Sequence, residues 1–145
     1  MTTLAADLKR EFDAGVDPHF EDYPMIADDI IYEGAACGLD SSGNIQPFVA
    51  STTEFVGFAT KKVDNTGGAA GDLNAQVRTQ GKARLPVTGV TGIDDVGKIV
   101  YASDDNLFTL TLATGDAIGK VARHITSTEC MVYFQADFQH TGAVA

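Results

Sequence analysis

The sequence predicts a mainly β fold, a small β-barrel or sandwich with an extended N-terminal arm that contains a short helix. Short runs of β-branched and aromatic residues recur at roughly the 8–12 residue spacing that is typical of sandwiches and barrels. Turn-forming residues separate these runs, and only the first thirty residues depart from the pattern. The 145 residues suffice for one compact domain or for two small lobes that share a core.

Residues 1–29 form the predicted arm. Leu4, Leu8 and Phe12 follow i, i+4, i+8 spacing, which predicts one apolar stripe on a short helix over about residues 3–13. Gly15 and the Asp-Pro pair at 17–18 end this helix. Residues 19–25 then mix large apolar side chains with acids and a proline, without a clean period. We interpret this stretch as an arm that lies over a surface, either its own domain's or a neighbour's.

The β domain is predicted to span residues 30–145. Its strand candidates are 30–32, 45–49, 55–59, 73–79, 81–87, 96–101, 107–112, 117–122 and 130–135. Residues 73–79 alternate apolar and polar side chains, as expected of a strand with one face in the core. Residues 64–72 are small and polar and are predicted to form an exposed loop.

The domain contains a weak internal similarity that divides it into two similar halves, 30–88 and 96–138. The matched segments are 31–32 with 100–101, 43–45 with 105–107, 56–59 with 118–121, and 75–77 with 131–133. Loop lengths differ while the order of the segments holds. Chance similarity is the alternative, because the pattern apolar-Gly-x-apolar is common in β proteins.

The charge balance disfavours nucleic acid as a direct partner. The chain has 20 acidic and 10 basic residues, a net charge of −10, and its longest basic clusters are dipeptides. Self-repulsion that maintains solubility is the simplest reading of this acidity, and an acidic docking patch is the alternative. We expect synthesis in a cytosolic compartment and no membrane partner, because the sequence contains neither a signal-peptide pattern nor a long apolar segment.

The sequence also lacks the residue patterns of common enzymes, so we expect a protein that is not an enzyme and has no catalytic, cofactor-binding or metal-binding residues. His19, His124 and His140 are far apart and form no metal-binding pattern. The serines lie outside any nucleophile-elbow motif, and the glycines at 67–71 lack the Gly-Lys-Ser/Thr of a phosphate-binding loop.

Paired acids and lone cysteines are predicted to be structural. The acid pairs at 28–29, 94–95 and 104–105 fit turns and caps better than a metal site, since adjacent strand residues point to opposite faces. Cys37 and Cys130 are expected to be buried as free thiols, with a disulfide between them as the alternative.

The order of these motifs resembles the capsid cement (head decoration) proteins of tailed bacteriophages. The resemblance covers about residues 30–135, and the opening at 3–7 is also similar to the starts of these proteins. The segments that carry it are Ile31-Tyr32, the Gly-Asn turn at 43–44, Val56-Gly57-Phe58-Ala59, the Gly-rich loop, 77–81, Val96-Gly97-Lys98-Ile99-Val100-Tyr101 and Ile118-Gly119-Lys120-Val121. No single motif is specific, and their order carries the resemblance.

The resemblance implies a structural virion protein that is made in the host bacterial cytoplasm. It would bind the outer surface of the phage head, cluster as a homotrimer and clamp the major capsid protein shell. We hypothesise that the arm binds the shell or a sister subunit through apolar anchors. The proposed anchors are Leu4, Leu8, Phe12, Phe20 and Tyr23. Two alternatives are another phage structural protein, such as a tail component, and a small β module that binds a ligand or glycan.

Overall fold

The computed structural model describes residues 4–15, 19–50, 52–111 and 115–136. Within these ranges the chain forms twelve strands and one short 3-10 helix, which confirms the mainly β prediction. The first seven strands are β1 (Phe20–Pro24), β2 (Ile30–Ile31), β3 (Ala36–Leu39), β4 (Ile45–Pro47), β5 (Glu54–Ala59), β6 (Val63–Asp64) and β7 (Asn74–Arg78). The remaining elements are β8 (Gln80–Thr88), the 3-10 helix (Ile93–Asp95), β9 (Ile99–Asp104), β10 (Leu107–Thr109), β11 (Asp116–His124) and β12 (Glu129–Gln135).

These strands build two units in succession along the chain. The first unit is a five-stranded sheet with the order β1-β7-β5-β3-β4, called the first sheet below. β2 and β6 form a separate antiparallel pair. The second unit is a closed five-stranded barrel, in which β8, β12, β11, β9 and β10 are neighbours in that order. The barrel closes through parallel pairing of β10 with β8.

The first sheet and the barrel have the same strand order. If β2 and β6 are set aside, β1, β3, β4, β5 and β7 correspond to β8, β9, β10, β11 and β12. The parallel contact that closes the barrel has a counterpart in the isolated parallel bridge between Met25 and Ile45. Three of the four matched sequence segments fall on or next to equivalent strands, whereas 31–32 and 100–101 lie on β2 and β9. The domain boundaries given above stay a prediction.

Two equivalent glycines show why the matched segments are similar. Gly57 on β5 lies against the main chain of β7, and Gly119 on β11 lies against the main chain of β12. A Cβ atom at Gly57 would collide with the Arg78 carbonyl, and one at Gly119 would collide with the Tyr133 carbonyl. Both strands therefore require a residue without a side chain at this position.

The core consists of two clusters that β5 joins. One cluster fills the barrel and includes Phe55 and Phe58 from β5. The other lies under the first sheet and includes Val56 and Ala59 from the same strand. β5 is therefore buried on both faces. The Phe58 ring meets Phe134 of the barrel edge to face, with ring centroids 4.8 Å apart.

Most strand candidates of the sequence correspond to strands of the structure, but three strands were missed, one of which is the two-residue β6 at the start of the predicted loop. β1 was interpreted as irregular because its five residues include two acids and a proline. β3 was missed because three of its four residues are Ala, Cys and Gly, which carry little β signal. Pairing with β7 and with β4 and β5 forms these strands. Loop 64–72 is mostly exposed, as predicted, apart from the buried Asn65.

The short helix predicted over residues 3–13 is wrong for residues 4–13, which are not helical. Main-chain groups of this segment bond to other parts of the chain: the Leu8 N–H donates to the Glu33 carbonyl, and the Asp13 N–H donates to the Lys82 carbonyl. An isolated helix of this length is marginal in water. Partners on the folded domain therefore outweigh the helical preference.

Replacing Phe58 with alanine is expected to lower the free energy of unfolding by about 3–5 kcal/mol, because it removes a ring shared by both units and leaves a cavity. The matched control is Phe20→Ala, since Phe20 is 47% exposed and should change stability by less than about 1 kcal/mol. Chemical denaturation of the two variants measures the difference. Equal losses of stability would contradict the joint core.

Candidate protein-interaction site

The first part of the arm, residues 4–15, runs along both units of its own chain. Its middle bonds to the turn that precedes β3, where the Leu8 N–H donates to the Glu33 carbonyl at 2.8 Å. Its end follows β8, where Phe12 forms an antiparallel bridge with Ala83. The Arg84 N–H donates to the Glu11 carbonyl at 2.9 Å. Residues 4–15 therefore connect the first sheet to the barrel, and they are called the strap below.

Arg10 is the point at which the strap joins the two units. Its Nε donates to the Gly34 carbonyl at 2.6 Å, and its Nη2 donates to Asn106 Oδ1 at 2.8 Å. The guanidinium lies 5.1 Å from the Phe58 ring centre and 5.4 Å from the Phe108 ring centre. Gly34 and Phe58 belong to the first unit, and Asn106 and Phe108 belong to the barrel.

Burial shifts the pKa values of Arg10 and of the neighbouring Asp105. It lowers the pKa of Arg10 to about 10, an effect that the Asp105 carboxylate opposes, so Arg10 remains a cation at neutral pH. Burial also raises the pKa of Asp105 to about 6, while the Leu4 N–H, which donates at 3.0 Å, and Arg10 oppose that rise. Asp105 therefore holds Leu4, at the start of the strap, through this hydrogen bond.

A cleft of about 230 Å³ opens between the strap and the first sheet. Arg10, Phe12, Phe20 and Arg78 are among the residues that line it. The Arg78 guanidinium lies 4.1 Å from the centre of the Phe12 ring, which orients it along the cleft wall. The lining of the cleft combines cationic and aromatic groups with the Glu33 carboxylate.

The structure brings three of the five predicted anchors, Leu8, Phe12 and Phe20, together at the cleft and places the other two elsewhere. Leu4 and Tyr23 pack against the core cluster of the first sheet, and Phe12 packs against the barrel cluster. Leu8 and Phe20 line the cleft, and Phe20 is the most exposed of the aromatic anchors. Their role in binding a partner stays a prediction.

Sequence reasoning missed four exposed apolar side chains in the segment that forms the barrel. They are Ile93, Val96, Ile99 and Tyr133, with exposed fractions of 78%, 52%, 38% and 40%. Ile99 and Tyr133 flank Lys120 across three adjacent strands, because Lys120 pairs with both. Lys120 separates Ile99 from Tyr133, so these are exposed apolar side chains near a cation rather than one continuous apolar patch. The signal in the sequence was weak because β9 and β12 alternate like ordinary half-buried strands.

The acid pair at 94–95 lies in the 3-10 helix and serves its turn, as predicted, whereas Asp104 is the last residue of β9 and Asp105 is buried. Asp95 is buried, and it accepts hydrogen bonds from the Thr91 N–H at 2.6 Å and the Gly92 N–H at 3.1 Å. Lys98 Nζ lies 2.7 Å from its other oxygen. The Lys98 ammonium and these N–H groups hold the pKa of Asp95 well below its usual range. In the described ranges, no group of three or more His, Cys, Asp or Glu side chains could hold a metal ion.

The two cysteines are buried free thiols, which confirms the main prediction for them. Cys37 belongs to the core cluster of the first sheet and Cys130 to that of the barrel. Burial raises the pKa of the Cys130 thiol to about 11. Both thiols therefore behave as small core hydrophobes.

No protein-family model matches this chain, and a search of the curated proteins finds no match either. Among the described residues, no helix has the length and apolar character that crossing a membrane requires.

Replacing Arg10 with methionine should lower the free energy of unfolding by about 3 kcal/mol, because the Gly34 and Asn106 acceptors lose a charged donor inside the protein. Arg10→Lys should lower it by less, since an ammonium keeps the charge but cannot span both acceptors. The control is Lys9→Met, because the Lys9 side chain is 86% exposed and its 3.5 Å pair with Glu33 contributes little. Denaturation curves that coincide for Arg10→Met and Lys9→Met would contradict the role of Arg10.

Asp105 should make stability fall as the pH rises. Because folding raises its pKa from 3.8 to about 6, the protonated form is favoured in the folded state. The stabilisation that comes from this raised pKa is fully present below about pH 4 and is lost as the pH passes 6. The free energy of unfolding then changes by up to about 3 kcal/mol. Asp105→Asn keeps an acceptor for the Leu4 N–H and removes the titration. The stability difference between wild type and this variant should shrink or reverse between pH 4 and 7, and parallel pH profiles would refute the assignment.

Proposed function

We propose that this protein is a structural virion protein of the capsid cement class, which works by binding rather than by catalysis. It would bind the outside of a phage head and stabilise the major capsid protein shell. Its other partner would be itself, as a homotrimer. The proposal starts from the order of sequence motifs, and the geometry of the strap supports it.

The observation that carries the proposal is the bracing of the first sheet and the barrel by one strap. Main-chain hydrogen bonds attach the strap to both units, and Arg10 bonds to Gly34 in one and to Asn106 in the other. A protein that clamps a shell must resist separation of its own parts when the shell is strained. A cationic side chain that is held between both units supplies such resistance.

The placement of the resembling motifs supports the same proposal. Val56-Gly57-Phe58-Ala59 lies on β5 and Ile118-Gly119-Lys120-Val121 lies on β11, and these two strands are equivalent in the two units. The motifs thus mark corresponding positions of a repeated architecture. Their recurrence has a structural cause, because each glycine permits the close approach of a neighbouring strand.

The charge distribution fits a role on the outer surface of a particle. The net charge of −10 disfavours contact with DNA inside a head, because phosphate backbones require cationic partners. A solvated acidic surface resists nonspecific association. We therefore place the protein on the outer surface of the capsid after synthesis in the host bacterial cytoplasm.

A second candidate function is a small module that binds a ligand. The observation that favours it is the cleft beside the strap, where Arg10, Arg78, Phe12 and Phe20 combine charge with aromatic surface. A monomer that ignores phage heads and binds small aromatic carboxylates would favour this function over the cement role.

The decisive experiment mixes purified protein with undecorated phage heads. The wild-type protein should sediment with the heads and raise the temperature at which they release DNA. The Arg10→Lys variant should still sediment with the heads but should protect them less against heat. In this proposal, binding to the head does not require the link that Arg10 makes between the two units, whereas stabilising the head does. Lys9→Met is the matched control and should protect like the wild type. Failure of the wild-type protein to sediment with heads would overturn the proposed function.

A further inference from the structure

Arg78 differs from the other three arginines of the chain because no carboxylate pairs with it. The other three each interact with an aspartate or glutamate, in the pairs Arg84–Glu129, Arg123–Asp13 and Arg10–Asp105. None of the salt bridges of the described residues involves Arg78. The chain has 20 acidic side chains, so an arginine without a carboxylate partner is an exception in this protein.

Partial burial makes the missing partner of Arg78 unfavourable. Arg78 is partly buried in the wall of the cleft beside the strap. This burial lowers the pKa of Arg78, whereas the hydrogen bond with Glu129 raises the pKa of Arg84. A charge that has lost part of its hydration is unfavourable until an anion pairs with it. A carboxylate bound in the cleft would supply that partner.

Contacts on several sides hold the Arg78 guanidinium in place. The Phe12 ring covers one of its faces, with 4.1 Å between the guanidinium carbon and the ring centre. Its Nε donates to the Gln80 carbonyl at 3.4 Å. Gly81 lies so close that a Cβ atom there would be 3.1 Å from Nε and 3.3 Å from Nη2. A guanidinium that is held in this way can bind a carboxylate with two parallel hydrogen bonds and loses little conformational entropy.

The rings beside Arg78 suit a small apolar group. Phe12 and Phe20 line the same cleft, and Phe20 is 47% exposed. Aromatic side chains of this kind pack against a flat ring by stacking or by edge-to-face contact. The cleft holds about 230 Å³, which is below the roughly 300–1,000 Å³ of sites for drug-sized ligands. The volume therefore favours one ring with one charged group.

The one acid among the described lining residues leaves Arg78 available. The Glu33 carboxylate lies 3.5 Å from Lys9 Nζ. Arg10 already donates to Gly34 and to Asn106. The lining contains two arginines and one glutamate, a net charge of +1, whereas the whole chain has a net charge of −10. The cleft is thus a cationic site on an acidic protein.

We propose that Arg78 binds a carboxylate in this cleft, and that Phe12 and Phe20 pack against a ring attached to that carboxylate. The ligand class is a single aromatic ring that carries a carboxylate. A free aromatic acid and a protein segment with adjacent acidic and aromatic residues share this chemistry. The site rests on the second candidate function, and it does not require that the protein bind phage heads.

The test titrates the full chain with phenylacetate and with phenylacetamide near pH 7, followed by NMR. The two compounds have nearly the same shape, and only the first is an anion. The wild-type protein should bind phenylacetate about tenfold or more tightly than phenylacetamide. The main-chain signals of Gly34, Ala59 and Thr60, which line the cleft, should shift on binding.

Variants of Arg78 separate the charge contact from the shape of the cleft. Arg78→Gln should remove the preference for phenylacetate and leave the affinity for phenylacetamide unchanged, and Arg78→Lys should keep part of the preference. Lys120→Gln is the control, because it also removes one positive charge but lies outside the described lining. Unfolding curves establish that each variant is folded. A wild-type protein without the preference, or equal losses in Arg78→Gln and Lys120→Gln, would overturn the proposal.

A capped dipeptide distinguishes the two sources of the ligand. Tighter binding of acetyl-Asp-Phe-amide than of phenylacetate would assign the site to a protein segment, and the reverse order would assign it to a free acid. Binding of neither compound would overturn the proposal. If the wild-type protein sediments with phage heads but binds neither compound, the cement function stands and the carboxylate site fails. If it binds either compound but ignores heads, the site stands and the cement function fails.

Discussion

The insertion of Arg10 between the two units is the interaction on which the rest of the structure depends. Its guanidinium joins the Gly34 carbonyl to the Asn106 side chain and lies against one phenylalanine ring from each unit. A buried cation is unfavourable without such partners. The strap, the turn that carries Asp105 and the joint aromatic core therefore form together, and they hold the first sheet and the barrel as one body.

The two units have the same strand order and share strand β5. β5 contributes Val56 and Ala59 to one core and Phe55 and Phe58 to the other, so neither unit is independent of the other. The two parts of the chain differ in charge, because residues 1–79 have 13 acidic and 5 basic side chains, a net charge of −8, and residues 80–145 have 7 acidic and 5 basic side chains, a net charge of −2.

Strand positions were predictable where a local pattern was strong, and they were not predictable where pairing alone forms the strand. Alternation in residues 73–79 and 81–87 marked β7 and β8, because each strand has one buried face. β1 and β3 have sequences with little strand preference, and their neighbours impose the extended conformation. Leu8 and Phe12 had helical spacing, but main-chain partners on the folded domain made the segment extended.

The sequence by itself determined the β class, the acidic net charge, the turn role of the acid pair at 94–95 and the burial of both cysteines, because composition and local patterns control these properties. The tertiary structure alone decided that Arg10 is buried and that Ile99 and Tyr133 flank Lys120 on the barrel. Arg10 and its partner Asn106 are 96 residues apart, and Ile99, Lys120 and Tyr133 come from three strands. Contacts of this kind depend on strand order and register, which local sequence does not encode.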